Sequence, residues 1–421
     1  MRAMKDSGVD WLGEIPRHWE TKPFYSLGKQ ISTLNKGEDE RNLLSLSYGK
    51  IVRKDIESNT GLLPESFEGY QIVEEGDLVF RFTDLQNDQK SLRSALVQER
   101  GIITNAYLGF RPSAMDSRFL NYLMRFYDLQ KVFYGMGSGL RQSLTFAEVR
   151  RLAVVHPPIQ AQKQIADFLD RETAKIDALI AKQEQLITTL DERRGAVISR
   201  AVTRGLVENR PLRESGVEWL GEIPADWDVR PCWSSFRRVK QTGFSEEELL
   251  SVYRDHGVVP KSSRDDNHNV ESEDLTSYQL VRVGDMVMNK MKAWQGSIAL
   301  SDHRGIVSPA YFVYRPTQEF GRKYFHYLLR SVPYVAQYNR ISKGVRVGQW
   351  DLDPTYFRTT SLIVPPVEEQ RRIADFLDSE TARFDQLRAE VTRMIGILAE
   401  RRQALISAAV TGKLEVTDGN S

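Results

Sequence analysis

The sequence predicts an α+β protein built as a tandem duplication: two mixed globular domains and two long antiparallel coiled-coil helices, related by an internal pseudo-twofold. Three observations predict it. SGVDWLGEIPRHWE at 7–20 returns as SGVEWLGEIPADWD at 215–228, with ten of fourteen residues identical. One offset of 208 links Trp11 to Trp219, Pro16 to Pro224, Pro157 to Pro365 and Val202 to Val410. Each copy ends in a Pro-Pro breaker followed by a long run of helical pattern. The period far exceeds the ~20–50 residues of solenoid repeats. The expected parts are a first domain at 1–156, a first long helix at 157–208, a second domain at 209–364, and a second helix with tail at 365–421.

Composition bounds the class. A chain of 421 residues that is 41% hydrophobic and 27% charged is a folded protein of more than one domain. Its one cysteine, Cys232, permits neither an intrachain disulfide nor a Cys-rich zinc site, which points to a reducing cytoplasm. The opening MRAMKDSGVDW lacks the apolar stretch of a signal peptide. No run approaches the ~18 apolar residues of a membrane helix, so no membrane partner is expected. A net charge of +1 leaves nucleic acid open, because a basic face can coexist with acidic helices elsewhere.

The helices carry the clearest pattern. PPIQAQKQIADFLDRETAKIDAL (157–179) and PPVEEQRRIADFLDSETARFDQL (365–387) share 14 of 23 residues. Steps of four and three pick out Ile165, Leu169, Glu172, Ile176, Leu179, Gln183, Leu186, Leu190, Arg193 and Val197 in the first. The same steps give Ile373, Leu377, Glu380, Phe384, Leu387, Val391, Met394, Leu398, Arg401 and Leu405 in the second. That is a heptad seam in each. An in-register parallel pair would set Glu172 against Glu380 and Arg193 against Arg401, whereas an antiparallel pair brings each Glu toward the other helix's Arg. Antiparallel pairing is expected. The alternative is that each helix packs on its own domain.

The globular parts align only in patches. YQIVEEGDLVF (70–80) matches YQLVRVGDMVM (278–288), and GIITNAYLGFRP (101–112) matches GIVSPAYFVYRP (305–316). Strand-like alternation ending in Gly-Asp turns, with helical stretches between, predicts mixed α and β structure. Common framework with dissimilar loops is what two readers of different targets would carry.

Those loops hold the candidate contacts. Residues 321–350 contain six Lys or Arg, six aromatics and no acid. Within them Arg340, Lys343 and Arg346 suit a phosphate backbone, and Gln349 suits an adenine edge. The first copy has GMGSGLRQSLTF (135–146), with Ser138, Arg141 and Gln142 in the corresponding place. The loops after the Gly-Asp strands add Lys90 and Arg93 in one copy, and Lys290, Lys292, Trp294 and Gln295 in the other. Lys50 and Arg254, each after a Leu-Leu-Ser strand, complete the set. For the arginines the alternative is a surface ion pair; for Trp294 it is packing.

No catalytic constellation emerges. There is no P-loop and no G-x-S-x-G elbow. GMGSGL precedes a strand pattern instead of opening a helix, so it is not read as a nucleotide-binding turn. Asp265, Asp266 and His268 are read as a polar surface loop, not a metal site.

On PPIQAQKQIADFLD and PPVEEQRRIADFLD, on AVISRAVTRG (196–205) and ALISAAVTGK (404–413), and on WLGEIPRHW and WLGEIPADW, the chain resembles the specificity subunits of type I restriction–modification enzymes. The resemblance covers nearly the whole sequence. It implies two target-recognition domains, each reading one part of a split double-stranded DNA site, with the long helices as the ruler between them. It implies a non-catalytic subunit assembled with two modification (methyltransferase) and two restriction (nuclease/translocase) subunits. S-adenosylmethionine, ATP and Mg would sit on those partners, and none in this chain. Gln162, Ile165, Gln370 and Ile373 would help dock the modification subunits. The family has no fixed base-contact motif, so the contact residues rest on local chemistry. The other readings are a stand-alone DNA methyltransferase or nuclease with an unrecognised site, and a coiled-coil scaffold with two protein-binding domains.

Overall fold

The long helices begin where the Pro-Pro breakers end. In the computed structural model they run from Ile159 to Arg204 and from Val367 to Val410. The first, at 46 residues, is about 69 Å long at ~1.5 Å per residue. The structure describes residues 3–56, 64, 66–86, 88, 92–136, 143–254, 256–264, 274–346 and 349–416, with backbone only at 345, 346 and 349. Contacts divide the chain into a first unit, 1–183 with 393–421, and a second unit, 184–392. Each long helix thus gives one part to each unit.

Within each unit the two helix segments are antiparallel. In the first, the end of the second helix (Ile406, Ala409, Val410) shares a core with the start of the first (Ile165, Ala166, Leu169). Arg402 there pairs with Asp177, Nε to Oδ1 at 2.8 Å. In the second, Ile198, Ala201 and Val202 share a core with Ile373 and Leu377. Arg194 faces Asp385 and Arg388 faces Asp191, so three steps up one helix match three steps down the other. The seam glutamates matter less than expected. The Glu172 carboxyl is held below its usual range chiefly by Lys175, with Arg401 the smallest of its named influences. The heptad is also incompletely covered: Leu179 and Met394 in the first unit, and Leu186 and Leu387 in the second, are 40–47% exposed. At the helix ends a globular lobe covers what the partner helix leaves open; along the bare pair none of the described residues does.

The duplication is visible atom by atom. The Gly-Asp turns need a left-handed residue, and Gly76 and Gly284 supply it with φ of +90° and +91°. The following aspartates, Asp77 and Asp285, accept the backbone N–H of Glu74 and Arg282 at 2.8 and 2.9 Å. Both are buried and also receive an arginine from the neighbouring strand, Arg111 and Arg315 respectively. Each turn strand belongs to a four-stranded antiparallel sheet. In the first unit the order is Gly28–Gln30, Leu108–Pro112, Leu78–Phe80, Ser94–Leu96; in the second it is Phe236–Val239, Tyr311–Pro316, Met286–Asn289, Ile298–Leu300. The strands Leu43–Ser47 and Leu250–Tyr253 each form a hairpin with the next strand. Amphipathic helices, Ser117–Leu129 and Arg322–Arg330, bury their aromatic faces in each unit's core.

A shared set of polar contacts fastens helix to lobe. Tyr122 donates to Asp170 at 2.8 Å with Thr173 at 3.2 Å, and Tyr327 repeats both distances with Asp378 and Thr381. Gln162 and Gln370 are fully buried, with both ends of each amide satisfied. Gln162 accepts from the Asp116 N–H and donates to the Pro157 carbonyl; Gln370 does the same with Gly321 and Pro365. Trp19 and Trp227 are fully buried where each opening segment meets a helix end.

Candidate nucleic-acid interface

In the second unit the structure joins two stretches that lie some 50 residues apart in the chain. The strand Met286–Asn289 runs into a turn and a short helical segment, Ala293–Gln295, anchored by the buried Ala293. The hairpin of Ser342–Arg346 and Gln349–Leu352 returns alongside. The Leu352 N–H donates to the Lys290 carbonyl at 3.1 Å, and the Trp294 and Trp350 rings lie 4.9 Å apart. Trp294 is partly buried, with Nε1 donating to the Met291 carbonyl. It is both packing and surface.

Cations line this junction. Lys290 and Arg238 lie against the Phe312 ring, at 5.8 and 4.2 Å from its centroid. Lys343 lies 5.3 Å from the half-exposed Tyr356 ring, and Asp351 stands opposite it in the hairpin. Lys292, Gln295 and Arg340 are exposed. Among the described residues, Arg238, Lys290, Lys292, Arg340 and Lys343 enter no ion pair with a carboxylate. Unneutralised cations beside aromatic faces suit phosphates and base edges. Arg238, Trp350 and Tyr356 were not singled out from the sequence. Arg238 lies outside the repeated patches and the candidate loops, and only the pairing of its strand with Tyr311–Pro316 brings it to Phe312. The backbones of Arg346 and Gln349 lie in the hairpin.

The first unit repeats the junction: the Leu144 N–H donates to the Phe82 carbonyl at 2.9 Å, again at the offset of 208. Lys90, Ser138, Arg141 and Gln142 lie outside the described residues, as do Asp265, Asp266 and His268. Lys50 and Arg254 are exposed on their hairpins.

Arg93 requires a correction. It is fully buried, and its guanidinium donates to the carbonyls of Thr83, at 3.0 Å, and of Asp84 and Asp88, and to the Tyr134 hydroxyl. It closes the loop from within and offers nothing to a groove. The expected docking set is corrected likewise. Gln162, Ile165, Gln370 and Ile373 are at most 4% exposed, and they hold the helix start to the lobe. Their recurrence in both copies marked framework, and framework here is interior.

The helix Arg322–Arg330 carries a pH-sensitive group. His326 is largely buried beside Arg330, and burial first, then that arginine, lowers its pKa to about 3. A base with a lowered folded pKa gives stability that is full above its unfolded value and lost as pH falls toward the folded one. The second unit should therefore lose up to ~1.4 kcal/mol per pH unit from about pH 6.5 down toward 3. Asn121 precedes Tyr122 as His326 precedes Tyr327. His326→Asn should flatten this slope in thermal melts followed across pH. An unchanged slope would assign the acid loss to other groups.

Two copies of one lobe, each completed by an antiparallel pair of shared helix segments, define the class: a tandemly duplicated, helix-paired α+β protein. No helix among the described residues is long and apolar enough to cross a membrane. No family model matches the chain. It is 22% identical over 372 residues to the type I restriction enzyme MjaVIII specificity subunit of Methanocaldococcus jannaschii, covering 83% of this chain and 81% of that one. It is 32% identical over 100 residues to the EcoBI specificity subunit of Escherichia coli, covering 24% and 20%. A chain solved in work on complex assembly and conformational transition of the type I R-M system shares the fold. Its TM-score is 0.63 at 17% identity, over 95% of this chain and 99% of that one. The chain is thus similar in sequence to specificity subunits of type I restriction enzymes and shares the fold of a chain from such a system.

Proposed function

We propose that this chain is the sequence-reading subunit of a type I restriction–modification complex, with each unit reading one half of a bipartite duplex site. The observation that carries this reading is the second unit's cluster of cations and aromatics, in which the cations make no ion pair among the described residues, built on a framework that both units share. Shared framework with different loops suits two readers of different sequence. Two like lobes also suit two copies of one modification subunit, with restriction subunits joining that assembly. The solvent-open apolar residues of the helix pair, Leu179, Met394 and Ile397 in the first unit and Leu186 and Leu387 in the second, are where we place that docking. The chain itself is assigned no catalysis and no cofactor; S-adenosylmethionine, ATP and Mg belong to the partners.

The test is methyl transfer from labelled S-adenosylmethionine, with the methylated adenines mapped. The chain with its modification subunits should label a split motif, and the chain alone should label nothing. Labelling by the chain alone, or a contiguous motif, would overturn the reading.

A further inference from the structure

The hairpin of Leu43–Ser47 and Lys50–Lys54 turns in two residues, since Ser47 pairs with Lys50. Its tip is Tyr48–Gly49, with φ of +46° and +75°, the φ signs of a type I′ turn. Glycine accepts that geometry freely, but a bulky aromatic does not, and it persists there only if the surroundings over-determine it. Tyr48 is also 77% exposed, so packing does not explain its presence.

What holds the tip lies beneath it. Arg125, on the helix Ser117–Leu129, is largely buried and donates through Nη2 to the Gly49 carbonyl. Its Nε makes no hydrogen bond, and among the described residues it has no ion pair with a carboxylate. A cation so placed is costly. A Cβ at Gly49 would stand 2.7–2.8 Å from Leu92, so the tip is wedged against the loop that Arg93 closes. The second unit repeats the grip: Arg330, on the equivalent helix, donates to the Arg254 carbonyl at its own hairpin tip. In both copies an arginine at the same position of the helix thus reaches a carbonyl at the tip of the hairpin, so the tip is a mount held from the helix.

We infer that Tyr48 is a base-contacting residue of the first unit's half-site, and that Arg125 is the positioning residue that fixes its hairpin tip. The inference rests on the DNA-reading function proposed above. It separates two demands on Tyr48 that a structural role would join. Tyr48→Asn installs the Asn-Gly pair that type I′ turns favour, so the fold should gain while recognition loses.

The full chain, assembled with its modification subunits, is offered a pool of duplex DNA of randomised sequence. Wild type should select a split motif. Tyr48→Asn should melt at or above the wild-type temperature, lose base preference within one half of that motif only, and bind the wild-type motif about tenfold more weakly. Arg125→Lys, which keeps the charge and loses the planar fork, should blur the same half. An unchanged motif and affinity in Tyr48→Asn, equal losses in both halves, or a lowered melting temperature accompanying the weaker binding would each overturn the inference. A wild-type complex that selects no split motif would instead overturn the DNA-reading function, and the assignment of Tyr48 with it.

Discussion

Replacing Glu369 with alanine is expected to destabilise the second unit by about 3 kcal/mol, the low end for removing one partner from a buried ion pair. Glu369 sits at the start of the second long helix and is 8% exposed. One carboxylate oxygen accepts from Arg210, and the other accepts from the buried Trp227 Nε1 at 2.9 Å. Truncation strands a cation and an indole N–H together. The first unit supplies a natural contrast, because the corresponding residue is Ala161 and the buried Trp19 Nε1 has no partner among the described residues. Ala161→Glu should therefore stabilise the first unit by ~1 kcal/mol, provided the carboxylate finds solvent for its second oxygen. Thermal or denaturant melts of both variants check the pair. A neutral Glu369→Ala would mean that Arg210 reaches water and that Asp226, 2.6 Å away, suffices for it.

The second large effect concerns binding. Lys290→Ala, Lys292→Ala and Lys343→Ala combined should lower the slope of log affinity against log salt by about 2.7, at ~0.9 per phosphate contact. Between about 50 and 200 mM salt, the triple variant should then lose roughly 40-fold less affinity than wild type. Lys290 and Lys343 lie against aromatic rings, Lys292 is exposed, and none of the three makes an ion pair among the described residues, so their loss should leave the fold intact. The measurement is a salt titration of the assembled complex on its own target duplex. A parallel downward shift with unchanged slope would mean that the lysines position the loop and do not touch phosphate.

The sequence was most informative where a pattern was written twice. Duplication, the heptad, and the Gly-Asp turns of 76–77 and 284–285 each had two independent readings. Periodicity alone implied long paired helices, and like charges on a seam implied their direction. The pairs that realise that direction, Asp177 with Arg402 and Asp191 with Arg388, lie beside the seam and were not predicted. The reading also overstated how much of the seam is covered, because heptads record which side chains prefer contact, not how many neighbours are there to provide it.

Single charged residues were the least legible. Arg93 and Lys290 follow equivalent strands and read alike, yet one is fully buried and the other borders an aromatic surface. The resemblance implied docking for Gln162 and Gln370, but each is a buried amide that satisfies both of its ends within its own lobe. By itself the sequence determined the repeat, the helices, their antiparallel sense and the α+β class, since these follow from local periodicity and from comparing one copy with the other. Only the tertiary structure decided which polar side chains face inward, because burial depends on neighbours that sequence spacing does not encode. It alone brought Arg238 to Phe312, Trp294 to Trp350, and Arg125 beneath Tyr48.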